Sequence, residues 1–299
     1  MMKKNNDDLL KIEIVQKVPL YILIPIQTAF QIIGNMFPKL AAHIFLKLMN
    51  GFPRQPLRPK EKDFLKEADQ LQFKFGNTDL AGYSFGKGPS ILIVHGLMGS
   101  TANFHIIISD LVENGFRVIA FDLLNHGNSP SGPIGIDNGV DMIREVIQQA
   151  GELYGTISHS GGGLMTTIAL SDGPEVTQLQ KRILVSTPPY GKNAILSYLN
   201  FFRIPKKVFP YFWQMIESRI MMKVEDFSVL NALPQYKKSK RPFLLTIHDK
   251  DDKEVPIHFI DELFKGDYES ELLVTENLGH YEILKDENVS RKIVEFMES

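Results

Sequence analysis

The chain has 299 residues, of which 43% are hydrophobic and 23% charged, with a formal net charge of −2. That is globular composition, long enough for one large domain or two small ones, and it gives no broad basic face for nucleic acid. Cysteine is absent, which excludes disulfides, thiolate metal sites and a cysteine nucleophile, and leaves reduced cytoplasm as the default compartment.

Lys3 and Lys4 open the chain, but Asp7, Asp8 and Glu13 precede any apolar run, a poor fit to a secretory signal. Val18 to Pro38 then carries no charge. Its length approaches that of a spanning helix, about twenty residues, yet it contains Pro19, Pro25, Gln27, Gln31 and Asn35. Pro25 predicts a kink and a lost hydrogen bond. Three outcomes fit: a membrane span, an interfacial or partner-binding helix pair, or helices packed on the parent domain or its lid. Ala41 to Met49 continues as a second helical run, so residues 18–49 are the candidate for peripheral membrane contact. Gly51 to Pro56, followed by Arg58, Lys60 and Lys62, reads as a boundary. Residues 1–60 are therefore expected as an N-terminal helical extension and 61–299 as the main domain.

Within the main domain, Glu61 to Ala68 is a short helix. Leu71–Phe75 and Ala81–Phe85 form a hairpin across Gly76 to Asp79. Ile91 to Val94 is continuously apolar, as in strands covered on both faces of a parallel sheet. Helices at Ala102–Asn114, Asn138–Ala150, Gly162–Ser171, Pro256–Phe264 and Asn288–Met297 alternate with strands at Phe116–Asp122, Leu153–Ile157, Arg182–Ser186, Phe243–His248 and Glu271–Thr275. The alternation predicts an α/β fold with a mostly parallel sheet flanked by helices. It is interrupted once, at about 188–241, by a stretch rich in aromatic residues and methionine with no strand candidate. A helical lid insertion there would lie over the carboxyl ends of the strands, where open α/β sheets bind ligands.

The chemistry centres on Ser158-His159-Ser160-Gly161-Gly162-Gly163. A β-rich run ends at Ser160, and an apolar helical run follows the glycines. Such a strand–turn–helix lifts a serine hydroxyl out of the sheet, with small residues two positions to either side. A serine hydroxyl needs a neutral imidazole as base and a carboxylate to orient that imidazole. Of eight histidines, His280 is the best placed, because it follows a strand by a short loop and Gly279 permits a sharp approach. His248 lies beside the acid loop, His159 is expected to point away from the pocket, and His126 falls in a turn. His43, His105 and His258 fall in helical patterns. The acid comes from His248 to Pro256: Asp252 is favoured because Val255-Pro256 starts the next helix, with Asp251 and Glu254 as rivals. His95-Gly96-Leu97-Met98-Gly99 follows the first buried strand. Its loop offers the backbone N–H of Leu97, with Met98 as the weaker candidate, and the N–H of Gly161 is the second oxyanion donor.

These segments together resemble the α/β-hydrolase family: HGLMG (His95 to Gly99), DLLNHGNS (Asp122 to Ser129), SHSGGG (Ser158 to Gly163), HDKDDKEVP (His248 to Pro256) and NLGH (Asn277 to His280). The resemblance runs from about Phe73 to the C-terminus and is strongest to bacterial hydrolases of undefined substrate. It implies the α/β-hydrolase fold, Ser160 as nucleophile, His280 as base and Asp252 as acid, and a structural role for the DLLNHGNS turn. Ser158 stands where the pattern usually has glycine, and Gly161 where the usual residue is bulkier.

The expected activity is that of a serine hydrolase, a carboxylic ester hydrolase first of all. It would cleave an ester or thioester with an apolar acyl part through an acyl-enzyme, without metal or cofactor. An amidase or peptidase, an acyltransferase and a carbon–carbon bond hydrolase share the constellation, and a non-catalytic binding module is the rival from another class. A dehalogenase or epoxide hydrolase would carry Asp at position 160. The partner is a small molecule, and the location cytoplasmic with peripheral membrane contact through 18–49.

Overall fold

The computed structural model describes residues 19–51, 54–171, 179–233, 243–265 and 270–299. The N-terminal charges, Val18, Phe52-Pro53 and the last part of the insertion, 234–241, lie outside the described residues.

Eight strands form one sheet: β1 (Asp69–Phe75), β2 (Thr78–Phe85), β3 (Ser90–Val94), β4 (Arg117–Phe121), β5 (Gly155–His159), β6 (Lys181–Val185), β7 (Leu244–Asp249) and β8 (Ser270–Thr275). Their order is β1-β2-β4-β3-β5-β6-β7-β8. The β1–β2 hairpin closes over Gly76-Asn77, and β2 meets β4 antiparallel. Every later pairing is parallel. Successive side chains of a strand face opposite ways. Leu92 and Val94 of β3 accordingly enter one core layer with Ile119 and Phe121, whereas Ile91 and Ile93 enter the other with Val118 and Ala120. Both faces are apolar, so both must be covered. The first layer is closed by α5 (Ile136–Ala150) and α6 (Ser160–Ala169), the second by α4 (His105–Glu113) and the C-terminal helix α10 (Glu287–Glu298).

The uncharged N-terminal run forms α1 (Leu20–Met36), and α2 (Pro38–Met49) follows; α3 (Pro59–Lys66) precedes the sheet. α1 passes through Pro25 without a break. The carbonyl that a residue-25 amide would have engaged belongs to Tyr21, which is 77% exposed; water can serve it, so the lost bond does not end the helix. Among the described residues no helix is long and apolar enough to cross a membrane.

The insertion folds as α7 (Gly191–Phe201), α8 (Phe209–Ile220) and α9 (Val229–Ala232). It shares a core with the N-terminal helices. Leu23, Phe30, Ala41, Phe45 and Leu46 pack with Ile195, Leu199, Phe202, Val208, Phe212 and Ile216. The Phe45 ring meets Phe30, Phe202 and Phe212 at centroid distances of 5.8, 5.8 and 5.3 Å. Polar ties reinforce the contact: Gln27 Nε2 donates to the Phe201 carbonyl at 2.7 Å, and Gln31 Nε2 to that of Arg203. The glutamines that argue against a membrane span thus bind the insertion. α1, α2, α7 and α8 make one cap.

The expected helix at Pro256–Phe264 is instead a 3₁₀ run, Ile257–Lys265, and the first turn of the expected Ala102–Asn114 helix is 3₁₀ at Thr101–Phe104. The helix after β5 begins at Ser160 itself, two residues earlier than the glycine run suggests.

Candidate active site

Parallel register brings the loops that matter to one edge. Val94, the last residue of β3, pairs with Ser158 of β5, so His95 to Gly99 leaves the sheet beside Ser160. Asp249, the last residue of β7, pairs with Thr275, the last of β8, so the loops carrying Asp252 and His280 leave together.

Ser160 has φ +53°, the left-handed region that a residue with a Cβ enters at a cost of about 1–3 kcal/mol. The turn is held by close packing. A Cβ on Gly162 would lie 2.2 Å from the His95 carbonyl oxygen, so the helix can begin against the β3 loop only with glycine there. Ser158, in the position usually given to glycine, is fully buried, and its hydroxyl has no hydrogen-bond partner among the described residues.

The three sequence candidates form a continuous chain of hydrogen bonds. Ser160 Oγ lies 2.9 Å from His280 Nε2, and His280 Nδ1 lies 2.8 Å from Asp252 Oδ2. His280 and Asp252 are buried. Asp252 Oδ1 accepts the backbone N–H groups of Glu254 at 2.9 Å and Val255 at 2.8 Å. Burial pushes the Asp252 carboxyl up, but His280, His248 and the Val255 amide outweigh it and hold the group below its ordinary value. With a carboxylate against Nδ1, the proton sits on Nδ1 and Nε2 is left to accept from the serine.

The rivals have other partners. Asp251 Oδ2 accepts the Asn277 N–H at 2.9 Å and so braces the loop that carries His280. Asp249 links the same two loops, accepting from Asp251 N–H, Thr275 Oγ1 and Leu278 N–H at 2.9, 2.6 and 3.1 Å. Gly279, at φ +62°, makes the turn into His280. Glu254 stands on the opposite side of the imidazole from Asp252: its Oε2 is 3.6 Å from His280 Nε2, and both carboxylate oxygens accept from Tyr281 OH, at 3.0 and 3.1 Å.

Leu97 and Gly161, the expected oxyanion donors, are neighbours. A Cβ on Gly161 would come 3.9 Å from Leu97 Cγ, and both residues line a cavity that reaches Ser160. Met98 is engaged elsewhere, since its N–H donates to His126 Nε2 at 2.8 Å. The wall of the cavity is apolar: Ile134, Leu164 and Met165 from the main domain, Ile195, Phe212 and Ile216 from the insertion, and Leu46 and Met49 from α2. The contribution of α2 lies outside the stretch of family resemblance, so sequence motifs could not find it.

The remaining histidines of this region are structural struts. His126 donates from Nδ1 to the Leu124 carbonyl (2.9 Å) while accepting the Met98 amide at Nε2. His95 donates to the Gly96 carbonyl (2.7 Å) and accepts the Leu123 N–H (3.0 Å). Each imidazole therefore must be neutral, because a second proton would face an N–H. Asp122 anchors the same turn, accepting from Thr101 N–H, Tyr83 OH and Asn128 N–H at 2.8, 3.0 and 2.8 Å. His159 points away from the cavity and donates from Nε2 to the His280 carbonyl at 2.8 Å, fixing the backbone of the residue opposite Ser160. His248 donates to the Val255 carbonyl at 2.6 Å and closes the acid loop. His43 and His105 bond backbone carbonyls within their own helical turns, and His258 packs on Phe259.

Burial, more than any neighbour, pushes His126 down to about 4 and His159 down to about 3, and lowers His95 as well. The unfolded chain protonates these rings near 6.5 and the folded protein does not. Below that pH the unfolded state binds more protons, so stability falls as pH drops from about 6.5 toward 4. His126 alone contributes a loss of about 2–3 kcal/mol by pH 4.5. Urea unfolding at pH 7 and pH 4.5 measures it; equal stabilities would contradict neutral, buried imidazoles.

Comparison with known proteins agrees with this architecture. A family model described as the alpha/beta hydrolase fold matches residues 89–216. The sn-1-specific diacylglycerol lipase ABHD11 of Danio rerio is 33% identical over 131 residues, which are 41% of this chain and 40% of the lipase. The match thus spans about two fifths of that relative's length. The AB hydrolase superfamily protein YisY of Bacillus subtilis is 24% identical over 254 residues, 72% of this chain and 93% of that protein. Among solved structures, an esterase of Pyrococcus furiosus superposes with TM-score 0.60 at 21% identity, covering 84% of this chain and 97% of the esterase. An epoxide hydrolase of Vigna radiata superposes at 0.53 and 16% identity, covering 78% and 99%. Likeness at this identity is likeness of fold. The eight-stranded order, the motif-bearing loops at one sheet edge and the matched family model have one common explanation: this chain has the α/β-hydrolase fold.

Proposed function

We propose that the protein is a serine hydrolase that cleaves a carboxylic ester or thioester with an apolar acyl part. The observation that carries this is the Ser160–His280–Asp252 chain of hydrogen bonds opening into an apolar cavity. In this reading Ser160 Oγ attacks the carbonyl carbon as His280 Nε2 takes its proton, and the amides of Leu97 and Gly161 hold the oxyanion. The tetrahedral adduct collapses, His280 returns the proton to the leaving oxygen or sulfur, and the alcohol or thiol departs. Water, deprotonated by the same nitrogen, then releases the acid from Ser160. Asp252 keeps the ring oriented and offsets its transient charge. The similar diacylglycerol lipase and esterase, both ester-cleaving by name, support the same class.

A series of p-nitrophenyl esters from acetate to decanoate tests this. The apolar wall favours the longer members, with kcat/KM rising at least about tenfold between acetate and octanoate, since each buried methylene is worth about 0.8 kcal/mol. Absence of turnover on every member would contradict the reading.

A second feature favours contact with a lipid surface. α1, α2 and Phe37 between them expose Leu20, Tyr21, Ile24, Ile32, Phe37 and Leu40, each more than half exposed. Large apolar side chains exposed in this number on two adjoining helices suit an interaction site. Residues 19–60 contain no Asp or Glu, while Lys39 and Lys47 are exposed beside the apolar residues, a pattern suited to anionic headgroups. The purified protein is therefore expected to float with phosphatidylglycerol-containing vesicles through a density gradient. Recovery wholly in the unbound fraction ends this proposal and leaves the hydrolase reading untouched.

A further inference from the structure

Resting on the serine-hydrolase reading, we infer that Met165, seated on the bare backbone of Gly139, is the floor of the acyl site and selects an acyl chain of medium length. The cavity that reaches Ser160 runs along one helix. Among the described residues lining it, those from α6 are Ser160, Gly161, Leu164 and Met165. Residues four apart in a helix share a face, so Gly161 and Met165 stand one above the other on the cavity side. Gly161 leaves the first turn uncovered: a Cβ there would meet Leu97 Cγ at 3.9 Å, an ordinary contact, and nothing nearer. An acyl group on Ser160 can therefore lie along the helix until it meets Met165. A rise of about 1.5 Å per residue places Met165 about 7–8 Å along the axis from Ser160. With C–C bonds of about 1.5 Å, a zigzag chain covers that distance in about six to eight carbons.

A glycine on the neighbouring helix sets where this floor stands. Gly139 lies inside α5, and its amide donates to the Gly135 carbonyl at 3.0 Å. Its φ is outside the left-handed region, so the backbone does not call for glycine, and glycine inside a helix is less favourable than alanine. Packing calls for it. A Cβ on Gly139 would overlap the Met165 sulfur and come 3.5 Å from Cε, so the thioether fills the place of the missing side chain. Gly135, one turn earlier, lines the cavity. The space beside α5 is thus open at Gly135 and closed by the thioether at Gly139. Met165 is buried, but its unbranched side chain adapts readily. A methyl group at position 139 drives it off α5 and into the cavity that it borders. Truncating it extends the cavity toward Gly139.

The p-nitrophenyl esters of butyrate, octanoate and dodecanoate, dispersed in one detergent, test the inference through ratios of kcat/KM. Because each ratio is taken within one protein, a general loss of activity or stability cancels. The native protein prefers octanoate to butyrate and gains nothing further with dodecanoate. Gly139→Ala lowers the octanoate-to-butyrate ratio by at least about tenfold, the worth of two buried methylenes. Met165→Ala raises the dodecanoate-to-octanoate ratio by about the same factor. In the double variant the new methyl group has no thioether to displace, and the ratios match those of Met165→Ala alone, the coupling expected of two residues in contact. The native and Met165→Ala ratios decide the matter even where Gly139→Ala is too unstable to assay. The inference is overturned by a native preference that keeps rising from octanoate to dodecanoate, by a dodecanoate-to-octanoate ratio that Met165→Ala leaves unchanged, or by an effect of Gly139→Ala that is the same with and without Met165. Each of those results still involves turnover and so keeps the hydrolase reading. Turnover of none of the three esters by the native protein removes both.

Discussion

Ser160→Ala is expected to lower kcat for p-nitrophenyl ester hydrolysis by at least about 10⁴-fold, with the fold intact and KM little changed. The expectation follows from how the residue is held. Ser160 sits at φ +53° because the β5–α6 turn is set by the contact of Gly162 with the His95 backbone, not by the hydroxyl. Alanine bears the same Cβ in the same backbone and inherits the strain without adding to it. What disappears is the oxygen 2.9 Å from His280 Nε2. The activity that survives such a loss comes from the oxyanion donors and from binding alone. Activity like that of the native protein in Ser160→Ala would point to another nucleophile or to a role without catalysis.

Asp252→Asn should be nearly as damaging, about 10⁴-fold in kcat at neutral pH, and the reason can be read from its partners. Oδ1 accepts two backbone N–H groups, from Glu254 and Val255. An asparagine must keep its carbonyl oxygen there, so its NH₂ faces His280 Nδ1. That nitrogen then has to accept, the ring proton moves to Nε2, and Nε2 can no longer take the proton of Ser160. Asp251→Asn is the matched control. It loses charge one residue away, but its amide oxygen can still accept the Asn277 N–H, and kcat should change by no more than a few-fold. Equal losses in the two variants would show that the loop's overall charge, rather than the Asp252–His280 bond, sustains activity.

Much of this arrangement is legible in the chain. The apolar run Ile91 to Val94 is buried on both faces, as its lack of alternation suggests. Ser160, Asp252 and His280 can be singled out because each follows a strand and the three strands are parallel. Other parts depend on contacts between distant segments. Nothing local indicates that Phe45 of α2 packs among Phe202 and Phe212 of the insertion, so sequence alone leaves the N-terminal run open between a membrane span, an interfacial or partner-binding pair and helices packed on the domain or its lid. Pro25 argues for a kink because propensity cannot register that the affected carbonyl faces outward. Glu254 is visible as one of three acids in a loop, but only the loop's conformation turns it toward Nε2 while Asp252 turns toward Nδ1. His126 reads as part of a turn, and its hold on Met98, which withdraws that amide from the oxyanion candidates, follows from the meeting of two loops 28 residues apart.

The central claim is that Ser160 is a nucleophile activated by His280, and reaction with a fluorophosphonate probe followed by peptide mass spectrometry tests it most directly. The predicted result is one adduct, on the Ser160 oxygen, abolished in Ser160→Ala and strongly slowed in His280→Ala. No adduct, or an adduct on another residue that persists in Ser160→Ala, would contradict it.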